Sequence, residues 1–150
     1  MLPRRILLLG TLALALSPGA ARADDDPVTV VRELYRVHAE REKTKQLAWQ
    51  PPHGDRFFTR NLAQFIARAH ARNGIDFDFI YDAQDFQISD LAVELGGTRG
   101  GASVQVSFKN FGKPQRLTYG LVRERGAWRV AEIVKTGPDG WVLTKLLAKR

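Results

Sequence analysis

Apolar positions along this chain follow two rhythms, one in each half. Val28, Val31, Leu34, Tyr35 and His38 recur at steps of three and four, which predicts one buried stripe on a helix ending near Arg41. Asp26-Pro27 supplies the start, because aspartate caps unpaired amides and proline is tolerated in the first turn. Arg32, Glu33, Arg36 and Glu40 fall on the opposite face, which reads as solvated. A second helix is predicted from Arg60 to Asn73, with Thr59 as its cap and Gly74 as its stop. Leu62, Phe65, Ile66 and Ala69 form its buried side, and Phe57 or Phe58 packs back on its first turn. Between the helices, residues 42–58 contain Trp49, Pro51-Pro52 and Gly54, so an irregular connection is expected.

From Phe86 onward the period drops to two. In a first strand, Phe86 to Leu95, the residues Leu91, Val93 and Leu95 share a face, while Ile88 is out of phase and predicts a bulge near Ser89-Asp90. The second strand alternates Ala102, Val104, Val106 and Phe108 with Ser103, Gln105 and Ser107. The third carries Leu117, Tyr119 and Leu121, and the fourth, Trp128 to Val134, is apolar on both faces in places, as in a central or covered strand. Glycine-rich residues 96–101, Asn110 to Pro114 and Glu124-Arg125-Gly126 turn the chain. Trp141 to Leu147 forms a further strand or a short closing helix. The expected class is α+β, with two N-terminal helices covering the apolar face of a four-stranded antiparallel sheet. Phe108, Phe111, Tyr119 and Trp128 read as core and hairpin packing.

Residues 1–23 have the form of a secretory signal peptide. Arg4 and Arg5 precede an apolar run from Ile6 to Leu16, and Ala21-Arg22-Ala23 is a small-x-small cleavage site. The run is too short to span a bilayer comfortably. Export to the periplasm, or secretion, with cleavage after Ala23 is therefore expected, and residues 24–150 make one domain. The chain has no cysteine, which excludes disulfides, thiolate metal sites and a cysteine nucleophile. The formal charge of +7 falls to about +4 without the leader. The basic residues are scattered and form no aromatic–basic stripe, so a nucleic-acid partner is not predicted.

The densest chemistry is the acidic block Asp76, Asp78, Asp82 and Asp85. Asp76 and Asp78 share a face of an extended segment. In one reading a carboxyl beside an apolar pocket acts as general base, with Tyr81 or Tyr119 polarising a carbonyl. In the other, Asp82, Gln84 and Asp85 order a loop by bonding to backbone amides. The spacing lacks the glycine and distal glutamate of a helix–loop–helix calcium site. His38, His53 and His70 are not at zinc-ligand spacing, so no metal or cofactor is predicted, and His38 reads as a core histidine. Trp49, in a polar proline-containing loop, is a lid, an anchor for a partner, or a side chain folded back on the second helix. Tyr35, Trp49, Asp78, Tyr81, Asp82, Gln84, Asp85 and Tyr119 are the candidate ligand-binding residues.

Five pieces, taken in order, resemble a bacterial family, domain of unknown function 3828, of the nuclear-transport-factor-two-like (SnoaL-like, cystatin-like) superfamily. They are residues 30–35, Asp76-Phe77-Asp78-Phe79 with Ala83-Gln84-Asp85, residues 106–112, Leu121-Val122-Arg123 with Trp128-Arg129-Val130, and Trp141. Similar proteins tend to have proline where this chain has Ile80. The resemblance implies a curved sheet wrapped cone-like around the helices, with a pocket at its open end, in a protein of the cell envelope. It implies no activity, because that fold serves enzymes and binding modules alike. Two readings follow: a non-catalytic domain binding an envelope protein or a small hydrophobic ligand, or a cone-pocket isomerase or dehydratase using an Asp/Tyr pair. An immunity or accessory protein of a secretion system is a third. A homodimer through the outer sheet face is compatible with the first.

Overall fold

Asp26 stays extended, and its carboxylate accepts the amides of Val28 at 3.2 Å and Thr29 at 3.1 Å. Those bonds satisfy two donors that a helix start leaves open, and helix α1 runs from there over Pro27–Glu42. The computed structural model describes residues 26–98 and 100–149. The leader expected at 1–23, and Arg99 in the 96–101 loop, lie outside the described residues. All five positions of the predicted stripe are buried, together with Val30. Helix α2, Arg60–Ala71, is capped twice: Thr59 Oγ1 accepts the Leu62 amide, and Glu124 accepts the Arg60 amide at 3.0 Å. None of the described helices is long and apolar enough to cross a membrane.

The sheet has five antiparallel strands in chain order, not the four expected: β1 Ile88–Gly97, β2 Ala102–Asn110, β3 Lys113–Glu124, β4 Ala127–Lys135 and β5 Trp141–Val142. The C-terminal segment is both of the things it was expected to be one of. Trp141 and Val142 pair with Lys135 and Val134, and then Glu132 accepts the Thr144 amide at 3.1 Å and the Thr144 hydroxyl. Those bonds at the first turn launch helix α3, Leu143–Ala148.

The bulge is where the phase change predicts it. The pairing skips between Ser89 and Ala92, and Asp90 takes φ 54°. The outer edge of β4 is covered by two short pieces. Beside β5, Phe58 bridges Val130 in parallel, with Thr59 N–H donating to Val130 O at 2.9 Å and Val130 N–H to Phe57 O at 2.8 Å. That matches the covered strand expected there. The connection is more regular than expected: His53–Arg56 forms a 3-10 turn, and a Cβ on Gly54 would stand 2.8 Å from the Trp49 carbonyl oxygen.

Val104, Val106, Phe108, Leu117, Tyr119, Leu121, Val130 and Ile133 form the inner face, each at most 2 % exposed, under Leu34 and Tyr35 of α1. Each such aliphatic side chain contributes about 1.5–3 kcal/mol by leaving water. Three apolar side chains depart from expectation. Leu91 is 44 % exposed and Leu95 54 %, although Val93 between them is buried. β1 is an edge strand, and its cover stops at Val93. Phe111, expected in hairpin packing, is 59 % exposed at the β2–β3 turn.

Candidate functional site

Residues 78–83 form a closed loop. Asp78 N–H donates to Ala83 O at 2.8 Å and Ala83 N–H returns to Asp78 O at 3.1 Å, so Phe79, Ile80, Tyr81 and Asp82 are looped out between them. Phe79, Ile80 and Tyr81 point into the core. Asp82 closes the turn at φ 53°, a conformation aspartate tolerates.

Three regions of the fold pin this loop. From α1, the Tyr35 hydroxyl donates to Ile80 O at 2.9 Å and accepts from the Tyr119 hydroxyl of β3 at 3.0 Å. Also from α1, His38 Nε2–H donates to Asp78 Oδ2 at 2.5 Å, while Asp78 Oδ1 accepts the Ile80 amide at 2.9 Å. The Ala48 amide donates to His38 Nδ1 at 3.4 Å, which assigns the imidazole proton to Nε2. At the far end of the loop, Lys135 of β4 pairs with Asp82 Oδ2, and Trp141 of β5 donates its indole N–H to Oδ1 at 2.7 Å.

The candidates therefore divide. Tyr35, Asp78 and Tyr119 meet in one buried polar cluster, with Tyr81 packed beside them: its ring lies 4.8 Å from His38 and 5.9 Å from Tyr35. Asp82 faces the opposite way. Gln84 is exposed and donates to Asp76 O at 3.1 Å, and Asp85 is exposed and offers its carbonyl to Asn110 Nδ2 at 3.4 Å. Trp49 is 4 % exposed and folds back, its ring 5.2 Å from Phe79 and 5.6 Å from His70 of α2. Among the described residues its buried indole N–H has no hydrogen-bond partner.

Burial raises the Tyr35 hydroxyl well above the usual value of 10.0, and the neighbouring Tyr119 adds to the effect. Burial likewise raises Tyr119. Tyr81 is pushed up to about 12, first by burial and then by the charges of Asp78 and Glu42. All three are neutral hydroxyls at physiological pH. Both oxygens of Asp78 already accept protein donors, and the Tyr119 proton is directed at Tyr35.

Tyr35, Tyr81, Phe108 and Tyr119 fill the space between α1 and the sheet, where the resemblance implies a pocket. Concave surface lies outside it, in an open groove of about 720 Å³ between α1 and β1. Tyr35 and Tyr81 reach its floor, Val93 and Leu91 stand in its β1 wall, and Arg32 and Arg36 line its α1 rim. Arg36 is held by Glu33 at 2.7 Å and Glu40 at 2.5 Å. Arg32 donates to Val93 O at 3.1 Å, in the place where a further strand would bond.

No family model and no curated protein matches the chain. Among solved structures, one that aligns is a phospholipid-binding protein from Ralstonia solanacearum, solved in complex with a phospholipid. It is 14 % identical, over 85 % of this chain and 75 % of that one, at a TM-score of 0.33. An overlap that low carries no argument about this fold or its ligand.

Arg32 is exposed, as its face of the helix predicts, but the sequence does not show its bond to Val93 O or the pairing of His38 with Asp78. Arg32 stands one helical turn from Arg36 and beside the apolar stripe, the one local signal that it borders the groove. For His38, an ionisable side chain at a stripe position was the signal that a buried partner exists.

Proposed function

We propose that the chain is a non-catalytic binding domain of the bacterial cell envelope, and that the groove between α1 and β1 holds a small hydrophobic ligand with an acidic end. The observation that carries this reading is the Arg32 guanidinium beside a floor made by Tyr35 and Tyr81 at an uncovered sheet edge. A guanidinium binds carboxylate or phosphate bidentately, and aromatic floors favour flat or alkyl groups. The candidate carboxyls support a binding role over acid–base chemistry, because Asp78 and Asp82 are engaged in bonds that hold the fold. The helix–helix–meander order supports the proposed kinship with domain of unknown function 3828. A periplasmic address rests on the residue pattern of the leader.

Native mass spectrometry of the protein purified gently from its own cell envelope tests the reading. A bound mass that is lost in Arg32→Glu is expected. Ligand-free protein in every preparation, together with no shift in melting temperature on adding a long-chain fatty acid or lysophospholipid, would overturn it.

A further inference from the structure

The β2–β3 hairpin turns on two residues. Asn110 pairs with Lys113, and Phe111 and Gly112 between them have φ values of 47° and 75°. Positive φ at both central positions favours asparagine, aspartate or glycine at the first of them, because a larger side chain crowds the backbone. This chain places phenylalanine there, 59 % exposed. Turn chemistry and water both select against that residue at that position.

The tip is also held stiffly. Phe111 N–H donates to Gln87 O at 3.0 Å, and Asn110 Oδ1 accepts the Gln87 amide at 2.9 Å. The ring is thus presented by an ordered strand pair rather than a loose loop. Lys113, next to the turn, and Arg116, three residues further along β3 on the opposite face, are exposed, and neither has an ion pair among the described residues. Lys109 of β2 pairs with Asp90 at 2.7 Å. Asp85 is the other acidic group near the base of the tip, its carbonyl bonded to Asn110.

We propose that this hairpin tip is a membrane-contact element, which inserts the Phe111 ring among the headgroups of an anionic bilayer while Lys113 and Arg116 meet lipid phosphates. Apolar transfer of one ring and attraction of two cations add together, and the result is a weak, reversible association that weakens with salt. The proposal rests on the hairpin alone and is independent of the groove.

Co-sedimentation tests it, using protein purified after expression of the full chain and vesicles of phosphatidylcholine with and without phosphatidylglycerol. The expected result is binding to the anionic vesicles that falls about tenfold in Phe111→Asn, a substitution that suits the turn and keeps the protein folded. Lys113→Glu with Arg116→Glu should abolish the preference for anionic lipid. Failure of the wild-type protein to sediment with anionic vesicles would overturn the proposal, as would a Phe111→Asn variant that sediments equally. A second copy is the competing occupant. If sedimentation velocity shows a dimer that Phe111→Asn dissolves, with vesicle binding unchanged, the tip is a dimer contact and the proposal fails.

Discussion

The His38 ring and the Asp78 carboxylate, 40 positions apart in the sequence, meet at 2.5 Å, and both are buried. The bond ties α1 to the 78–83 loop at a point where no water competes. Removing one partner leaves the other buried without its counterpart, which costs about 3–5 kcal/mol for a charged group. His38→Leu is therefore expected to lower stability by that amount in urea unfolding. His38→Leu combined with Asp78→Asn should cost less than the two single changes together. Additive losses would show that the two side chains act separately.

The tyrosine chain sets the alkaline limit. Tyr35 and Tyr119 are held above their usual value of 10.0 by burial, and Tyr81 is pushed up to about 12. Above pH 10 the unfolded chain sheds these protons while the folded chain keeps them, so stability falls as pH rises. Tyr35→Phe should cost about 1–3 kcal/mol at neutral pH by depriving Ile80 O of its donor. It should also make the alkaline decline shallower, as read from melting curves at successive pH values. An unchanged slope would count against the buried hydroxyl as its source.

At the acid end, Asp26 makes the opposite contribution. Its bonds to Thr29 hold its carboxyl below the usual 3.8. The stabilisation is present above that value and disappears as pH falls through the lower folded value. Asp26→Ala should cost about 1 kcal/mol at pH 7 and have no effect in strong acid, where the wild-type carboxyl is already protonated.

Phe111→Asn is expected to raise the melting temperature by a few degrees, because an ordinary side chain at positive φ costs roughly 1–2 kcal/mol and asparagine less. A lower melting temperature would mean that the exposed ring contributes to folding after all.

Sequence legibility follows the range of the interaction. The stripe Val28, Val31, Leu34, Tyr35 and His38 was readable because helix period encodes it locally, and all five are buried. The alternation of β2 was readable for the same reason, and the bulge at Asp90 announced itself as a phase change. Leu91 and Leu95 were not, because alternation says which side a residue faces and not whether anything covers that side. The pairings of His38 with Asp78 and of Asp82 with Lys135 and Trp141 depend on long-range topology that no local pattern records. Trp49 sits in a loop without period, so folding back on the second helix stood as one of three readings, and its burial against Phe79 and His70 decides for it.

The two borders of the sheet are unlike. Beyond β4 lie the Phe58 bridge and the two-residue β5, while at the ten-residue β1 border the Arg32 guanidinium reaches Val93 O and, among the described residues, no strand pairs on that side. Strand addition by a second copy thus has ten residues to run along at the β1 border and only two at the β5 border, too few to hold a newcomer by backbone bonds alone.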